Sequence, residues 1–390
     1  MKRLYFIMVI MLSLVSCKKP ADTPVDIRVT YPASTFVMGA DLSYANQILD
    51  HGGVFKDSGN VTDLYVIFRK YGANVIRFRL FYNPVWTKEI YGADGVQMYN
   101  DFDDVKKGIG KAKAAGMQVC LDFHYSDTWA GTSKQEIPSE WTSPTLSLLK
   151  DSIYNYTFRT LQKLGSAGLM PEFVQVGNEI NPGLLLPYGD RWHNNEKNMI
   201  ILLNSAIRAI RTAGATGNIN PKIIIHIAQP ENVRIWFNGL ADEGLTDYDI
   251  IGISYYYMWS TTALTTVSNF ISDLRTTFKK DLMIMETVYP WTTGWADNYN
   301  NFIVESALVP GYPATEAGQY KYMHALTQEV IDGGGIGIFT WEPEWITSQM
   351  KDLWGTGSSW ECNTFFDFEG NSLKGIRFML DQYNFHQWGI

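Results

Sequence analysis

The sequence predicts an α/β protein with a single (β/α)8 barrel and long loops after its strands. Eight short apolar segments alternate with amphipathic segments of helical spacing, which is the pattern of parallel strands joined by helices. Several amphipathic segments end at a glycine just before the next strand, as at Gly72, Gly116 and Gly214. A doubly wound open sheet is the alternative, but it usually has fewer strands, and no glycine-rich phosphate turn follows the first strand.

The individual elements follow in chain order from short β-branched or aromatic runs bounded by turn residues. The eight predicted strands are 36–41, 73–80, 117–124, 173–179, 222–228, 248–256, 282–289 and 335–342. The clearest helical segments between them are 61–71, 102–115, 152–164, 199–213 and 319–331. The chain has 390 residues, more than the roughly 250 typical of such a barrel, so we expect the extra length in loops. The long loops follow strands and cover 125–144, 181–196, 290–318 and 343–367.

The N-terminus has the pattern of a bacterial export signal. Lys2 and Arg3 precede an apolar run over 4–15 that is too short to span a bilayer as a mature helix. The run ends in LVSC, which resembles a lipobox with Cys17 as the lipidated residue; an ordinary signal peptide with a chance cysteine is the alternative. We therefore expect a lipoprotein signal peptide over 1–16, a polar tether over 17–35 and the (β/α)8 domain over 36–390. The expected location is the cell envelope, as an outer-membrane lipoprotein held by its lipid anchor.

Charge and composition limit the possible partners. The net charge of −8 argues against an extended nucleic-acid interface, and no obligate protein partner is evident. No Cys/His cluster has zinc-ligand spacing. Cys120 lies in an apolar run and is expected to be an inert core residue; a disulfide with Cys362 stays open at this stage. The 13 Trp and 22 Tyr residues suit surfaces that stack on sugar rings, and the stacking candidates are Trp86, Trp129, Trp259, Trp291, Trp341 and Trp345.

Polar side chains end most of the predicted strands, where the active site of such a barrel lies. Glu179 ends the fourth strand and Glu286 the seventh, and these strands face each other across the barrel. Two carboxyl groups flanking a cleft are what glycoside hydrolysis requires. An ion pair with a neighbouring cation would explain one such glutamate, but it explains two in this pattern less well. Asn178 is a candidate to hold a substrate hydroxyl beside Glu179.

The neighbouring residues have predicted supporting roles. We expect Arg77 and either Tyr255 or Tyr256 to donate hydrogen bonds to Glu286 and keep it ionised. Trp341, which ends the eighth strand, is a candidate floor for a sugar ring, although a core tryptophan would fit the same pattern.

Several stretches together resemble glycoside hydrolase family 53, the endo-β-1,4-galactanases, within the clan of retaining barrel glycosidases. They include GADLSY (39–44), VIRFRLFYNP (75–84), LDFHYSDTWA (121–130), QVGNEINPGLLLP (175–187), ETVYPW (286–291) and GIGIFTWEPEW (335–345). The resemblance implies a retaining enzyme in which Glu179 is the acid/base and Glu286 the nucleophile. It implies β-1,4-galactan of type I arabinogalactan, a pectin side chain, as the substrate.

The substrate-binding residues expected from these stretches and from the strand ends are Asp41, Arg77, Trp86, Asp122, His124, Asp127, Trp129, Asn178, Tyr255, Tyr256, Trp291 and Trp341. No cofactor is expected. Some family members hold a structural calcium ion, and Asp297, Asn298 and Asn300 are the candidate ligands here.

Two rival functions stay open at this stage. The first is an endo-acting β-mannanase or cellulase of the same clan, which would use the same pair of carboxylates. The second is a catalytically silent glycan-binding surface lipoprotein, which would be expected to have lost one of the two glutamates.

Overall fold

The structure, a computed structural model, describes residues 28–193, 195–303 and 308–385. Eight parallel strands form a closed barrel, in which each strand pairs with its neighbours in chain order. The first strand pairs with both the second and the eighth, which closes the ring. The predicted (β/α)8 architecture is therefore confirmed. The strands are β1 (Val37–Asp41), β2 (Val75–Leu80), β3 (Gln118–Phe123), β4 (Phe173–Val176), β5 (Lys222–Ala228), β6 (Ile250–Ser254), β7 (Asp281–Glu286) and β8 (Gly337–Thr340).

Helices pack around the barrel, and two short antiparallel strand pairs lie in its loops among the described residues. The helices are α1 (Ala45–Asp50), α2 (Leu64–Lys70), α3 (Trp86–Glu89), α4 (Phe102–Ala114), α5 (Leu146–Ser166), α6 (Glu196–Thr216), α7 (Pro230–Phe237), α8 (Val267–Phe278) and α9 (Glu316–Asp332). Side chains of Asp101, Thr145 and Thr315 accept backbone N–H groups at the starts of α4, α5 and α9, which explains where these helices begin. The small pairs join Lys56–Asp57 to Asn60–Val61 and Gly183–Leu184 to Gly189–Asp190.

Residues in the barrel interior change from apolar to polar along the strands. Val75, Cys120, Phe173 and Ile224 belong to one buried apolar cluster near the start of the strands. Because side chains of a strand alternate with a period of two, the residues two positions further along point into the same interior. These residues are Arg77, Asp122, Gln175 and His226, all fully buried. The interior therefore presents a polar layer toward the C-terminal end of the barrel.

Gly252 is an interior position of β6 where no side chain fits. A Cβ atom there would lie 2.6 Å from Met285 and 2.8 Å from Ile224. The glycine lets neighbouring side chains fill the centre of the barrel. After it, the pairing of β6 with β7 shifts by one residue, so that Ser254 lies opposite Glu286.

The domain begins earlier than the sequence predicts. The backbone N–H of Val29 donates to the Leu380 carbonyl at 2.8 Å, and Asn74 donates to the Tyr31 carbonyl at 3.0 Å. Tyr31 is buried. Residues 28–35, assigned to the tether on the basis of their polar composition, are therefore part of the folded domain. The predicted signal peptide and Cys17 lie outside the described residues.

The structure also shows whether the cysteines are bonded and whether a described helix could cross a membrane. Cys120 and Cys362 are both buried and free, so they form no disulfide, and Cys120 is a core residue as expected. None of the helices in the described part of the chain has the length and apolar character needed to cross a bilayer.

Candidate active site

An open cleft of about 640 Å³ lies at the C-terminal end of the barrel. Glu179 and Glu286 both line it, so the two carboxyl groups singled out in the sequence share one cleft. The aromatic residues that line it are Trp129, Tyr256, Trp259, Tyr299, Phe302, Trp341, Trp345, Trp354 and Trp360. Aromatic walls around paired carboxyl groups suit the binding of a sugar chain.

Glu286 is held by two donors at the end of β7. Arg77 Nη1 donates to its Oε1 at 2.8 Å, and the Tyr256 hydroxyl donates to its Oε2 at 2.9 Å. Glu286 is almost completely buried. Both bonds are strongest when the carboxyl group is ionised, which favours the charged form.

Glu179 follows β4 in a strained backbone conformation. Its φ of 44° lies in the left-handed region, which a glutamate rarely adopts and which is often found at functional sites. Its Oε1 lies 2.6 Å from the Ser254 hydroxyl. Glu179 is partly exposed to the cleft, unlike Glu286. Because β4 ends at Val176, the predicted strand over 173–179 is too long, and Asn178 and Glu179 lie in the loop that follows it.

The ionisation of the two carboxyl groups is coupled. Burial raises the pKa of Glu286 to about 8, while Arg77 and Tyr256 oppose this increase and the charge of Glu179 adds to it. Burial also raises the pKa of Glu179, while Ser254 and Arg77 lower it. The pair therefore keeps one proton near neutral pH.

The hydrogen bonds decide which carboxyl group holds that proton. A pKa of about 8 for Glu286 taken alone would place the proton there. Arg77 can only donate, however, and together with Tyr256 it gives Glu286 two donors, whereas Glu179 has the Ser254 hydroxyl. The ionised form is therefore better stabilised at Glu286, and we assign the shared proton to Glu179.

Arg77 connects most of the polar layer. Its Nη1 also donates to Asp41 at 3.0 Å, and its Nη2 donates to Asp122 at 2.8 Å and to Asn178 at 3.0 Å. Its charge is shared among three carboxylates, and this sharing limits how far it can lower the pKa of Glu286. Asp41 and Asp122 are fully buried beneath the cleft. They orient Arg77 and do not line the cleft.

His124 and Asn178 are also fixed from below. His124 Nε2 lies 3.1 Å from Asp122, and its Nδ1 accepts the Ala130 N–H at 3.2 Å. Burial lowers the pKa of His124, although Asp122 opposes this. The Asn178 amide donates to the Ala130 carbonyl at 2.9 Å. Asn178 lines the cleft, as expected, whereas His124 lies behind it.

Four more of the residues expected at the substrate lie away from the cleft. The Tyr255 hydroxyl donates to the Thr262 carbonyl at 3.0 Å, so Tyr256 alone of the two tyrosines reaches Glu286. Trp86 donates to the Asp127 carbonyl at 3.0 Å, and the Asp127 carboxylate accepts two backbone N–H groups in nearby loops. Trp291 donates to the Glu361 carbonyl at 3.1 Å. These side chains brace loops or the barrel and do not line the cleft.

Arg79 supports the aromatic floor and was not among the predicted site residues. Its guanidinium lies 4.1 Å from the centre of the Trp129 ring and 4.4 Å from that of Tyr44. It donates to Glu342, which follows β8. Its place two positions after Arg77 on β2 was the available signal, because that spacing puts both side chains inside the barrel. Trp129 and Trp341 contact each other above Arg77 and Arg79, with ring centres 6.1 Å apart.

Aromatic residues from distant loops extend one wall of the cleft. Tyr256 lies 5.1 Å from Trp259 and 6.1 Å from Trp360, and Trp360 stacks on Phe302 at 5.2 Å. The sequence flagged Trp259 and Trp345 as stacking candidates. Phe302 and Trp360 were missed, because nothing in their local sequence shows that their loops fold over the barrel mouth.

The candidate calcium ligands Asp297, Asn298 and Asn300 line one surface pocket, and calcium binding there stays a prediction. The carboxylate of Asp297 accepts hydrogen bonds from the N–H groups of Tyr299 at 2.7 Å and Ser358 at 2.9 Å, and it lies 2.8 Å from the Thr347 hydroxyl, which also contacts Glu361. Asp297 thus supplies at most two of the six to eight oxygen ligands that calcium takes. Asn298 and Asn300 are exposed. Within the described residues, no three His, Cys, Asp or Glu side chains are arranged to hold a metal ion.

Comparison with known proteins agrees with this geometry. The model of glycosyl hydrolase family 53 matches residues 37–379. The arabinogalactan endo-beta-1,4-galactanase of Cellvibrio japonicus is 40% identical over 353 residues, which cover 89% of this chain and 91% of that protein. The endo-beta-1,4-galactanase of Bacillus subtilis is 31% identical, over 86% of this chain and 78% of that one.

A solved structure from glycosyl hydrolase family 53 is also similar to this chain. The GH53 catalytic domain of Ignisphaera aggregans superposes with a TM-score of 0.81 at 31% identity, covering 93% of this chain and all of that one. The match of the family model spans nearly the whole barrel and both glutamates. The chain is therefore a glycoside hydrolase and belongs to glycosyl hydrolase family 53.

Proposed function

We propose that this protein is a retaining endo-β-1,4-galactanase that hydrolyses the β-1,4-galactan of type I arabinogalactan. The observation that carries the proposal is the pair of carboxyl groups in one cleft, with Glu286 held by Arg77 and Tyr256 and Glu179 beside the Ser254 hydroxyl. One group is stabilised as an anion and the other can keep a proton. Retaining glycosidases need this division of labour.

The reaction then proceeds in two displacements. In the first, Glu286 attacks the anomeric carbon, the bond to the leaving oxygen breaks, and Glu179 gives its proton to that oxygen. In the second, Glu179 takes a proton from water, and the water oxygen displaces Glu286 from the sugar. Each step inverts the anomeric carbon, so the product keeps the original configuration. No cofactor takes part in either step.

The choice of galactan rests on the relatives and on the shape of the cleft. Both curated relatives described above are named as endo-beta-1,4-galactanases. The cleft is open and has an aromatic wall, which suits an internal segment of a long chain. In β-1,4-galactan the linkage oxygen at carbon four is axial, which makes the chain curl where cellulose runs straight. Aromatic rings tilted relative to one another, such as Tyr256 and Trp259 at 59°, suit a curled chain.

A reducing-sugar assay on several polysaccharides tests the proposal. Purified protein should release reducing ends from potato galactan and act poorly on mannan and carboxymethyl-cellulose. Equal rates on mannan or cellulose would overturn the substrate assignment in favour of another activity of the same clan. A lack of hydrolysis with retained binding would favour a silent glycan-binding protein.

We also propose that the enzyme is anchored to the outer membrane through lipid on Cys17. The support is the LVSC sequence after a charged and apolar start. Stable anchoring needs more than one acyl chain, and a lipoprotein cysteine carries at least two. The Cys17→Ala variant should move from the membrane fraction to the soluble fraction. If it stays with membranes like the parent, the lipobox assignment is wrong.

A further inference from the structure

The two oxygens of the Glu179 carboxyl group have different surroundings. Oε1 lies 2.6 Å from Ser254 Oγ at the end of β6. Oε2 lies 3.6 Å from the position a Cβ atom would take on Gly131, a residue that lines the cleft. Within the described residues, no hydrogen bond reaches Oε2. Oε2 is therefore the oxygen left free to give a proton to a bound glycosidic oxygen, so the choice of oxygen matters for catalysis.

His226 lies behind Ser254 and completes a hydrogen-bonded chain. Its Nε2 is 2.9 Å from Ser254 Oγ, and both residues are fully buried. Burial and the charge of Arg77 lower the pKa of His226 well below its usual range. The imidazole is therefore neutral, and only one of its ring nitrogens carries hydrogen.

The surroundings of Nδ1 decide which nitrogen that is. The backbone N–H of Glu179 points at Nδ1 from 3.4 Å and has no other acceptor among the described residues. The Gln175 amide nitrogen lies 3.1 Å away. The one competing acceptor, Asn178 Oδ1 at 3.0 Å, already takes a hydrogen bond from Arg77. A hydrogen on Nδ1 would leave the partly buried Glu179 N–H without a partner, which is costly.

The hydrogen of His226 therefore lies on Nε2 and fixes the direction of the chain. Nε2–H donates to Ser254 Oγ, and the hydroxyl of Ser254 in turn donates to Glu179 Oε1. We propose that Ser254 and His226 are positioning residues that keep Oε1 as a hydrogen-bond acceptor and so place the catalytic proton on Oε2. This inference rests on the proposed role of Glu179 as acid/base.

The proton balance of the reaction is simple in this arrangement. The Oε2–H bond breaks as its proton passes to the leaving oxygen, and the electron pair stays on the carboxyl group. In the second displacement, Oε2 receives the proton of the attacking water. Ser254 and His226 keep their own hydrogens throughout, and the bond from Ser254 strengthens whenever Glu179 is ionised.

Other charged and titratable groups also surround Glu179. They are Arg77 on β2, Asp122 on β3, Lys134 in the following loop, His226 on β5, Tyr256 after β6 and Glu286 on β7. None of their side chains donates to the carboxyl oxygens of Glu179, so Ser254 is the one donor to this group among the described residues. Loss of its hydroxyl would destabilise the ionised form in particular and raise the pKa of Glu179.

The Ser254→Ala variant tests the inference through the leaving group. On galactan, whose leaving oxygen needs a proton, kcat should fall roughly 10- to 100-fold with little change in KM. On a dinitrophenyl galactobioside, whose leaving group needs no proton, the first displacement should change little. The alkaline limb of kcat/KM against pH should also move to higher pH, because Glu179 keeps its proton longer.

Two substitutions of His226 separate its nitrogen atoms. His226→Gln puts an amide nitrogen near the place of Nε2 and so keeps a donor to Ser254. Its activity should therefore change to the same extent on galactan and on the dinitrophenyl substrate. His226→Asn puts its amide near the place of Nδ1, loses the donor to Ser254 and should behave like Ser254→Ala. Ser254→Thr retains a hydroxyl and should restore activity on galactan relative to Ser254→Ala. If Ser254→Ala does not fold, the two His226 variants carry the test.

A matched control removes a buried hydroxyl from elsewhere in the barrel. Thr327 on α9 is fully buried and donates to the Met323 carbonyl at 2.7 Å, so Thr327→Val should hydrolyse both substrates like the parent. Equal losses on both substrates in Ser254→Ala, or an alkaline limb that does not move, would overturn the positioning role. Cleavage of galactan by the parent protein is measured separately, so that result would leave the proposed function intact.

Discussion

The hydrogen bond from Tyr256 to Glu286 gives a quantitative prediction for the pH dependence of the enzyme. The Tyr256→Phe substitution removes one of the two donors to the nucleophile, a bond of 2.9 Å. Hydrogen bonds to charged groups contribute about 1.5–3 kcal/mol, and each pKa unit corresponds to about 1.4 kcal/mol. We therefore expect the pKa of Glu286 to rise by about 1–2 units in the variant.

The consequence appears on the acid side of the pH–rate profile. Glu286 must be ionised to attack, so a higher pKa moves the acid limb of kcat/KM to higher pH by the same amount. Activity on galactan below this limb should fall about 10- to 100-fold, while the loss above it should be smaller. Measuring kcat/KM on galactan across the pH range resolves both parts of the curve.

Tyr255 provides the matched control for this experiment. It is the neighbouring residue and loses the same hydroxyl in Tyr255→Phe, but that hydroxyl donates to the Thr262 carbonyl and not to Glu286. The acid limb of Tyr255→Phe should therefore stay in place. An unmoved acid limb in Tyr256→Phe, or an equal movement in both variants, would refute the assignment of Tyr256 as the donor that keeps Glu286 ionised.

Four further variants test other parts of the account. Glu286→Ala should abolish turnover of every substrate, whereas Glu179→Ala should keep first-step activity on aryl galactosides with good leaving groups; equal losses on activated and natural substrates would contradict the acid role of Glu179. Trp341→Ala should lower kcat/KM on galactan about fivefold or more, because a sugar ring stacked on the indole contributes about 1 kcal/mol. Circular dichroism should show that the barrel stays folded, and kinetics on galactan should show the loss of activity. Glu344→Gln should raise the melting temperature, measured by calorimetry, more at pH 8 than at pH 4. Burial raises the pKa of Glu344 well above its usual range, and neither of its carboxyl oxygens has a hydrogen-bond partner among the described residues. Its folded pKa exceeds the unfolded one, so its contribution to stability is complete below the unfolded pKa and is lost as the pH rises; equal effects at both pH values would contradict this.

The barrel could be predicted from the sequence because strands and helices leave different periodic patterns. Each of the eight predicted segments overlaps one strand of the barrel. The ends of the strands were harder to predict. The strand β4 stops at Val176 and leaves Glu179 in a loop, with a positive φ. Helices α7 and α8 were not among the clearest helical segments. Residues 28–35 were misjudged because their contacts are with the far end of the chain, which local composition does not reveal.

The site was predictable where residues follow strands and unpredictable where they depend on loops or pairing. The positions of Glu286, Arg77 and Asp122 follow from alternation along the strands and the common end at which parallel strands finish. The choice between Tyr255 and Tyr256 depends on where the chain turns after the shifted end of β6. The link between Trp86 and Asp127 joins two loops, and the chain from His226 to Glu179 joins three strands or strand ends. Such contacts follow only from the closed barrel.

Trapping the covalent intermediate tests the central claim most directly, namely that Glu286 attacks the sugar and Glu179 serves as acid/base. A dinitrophenyl 2-deoxy-2-fluoro-β-galactobioside has a good leaving group, and its fluorine slows the second displacement. After incubation, peptide mass spectrometry should find one disaccharide unit attached to the peptide that contains Glu286, with the parent protein inactivated in proportion. Attachment to any other residue, or hydrolysis that releases the inverted anomer with no labelled peptide, would contradict the mechanism.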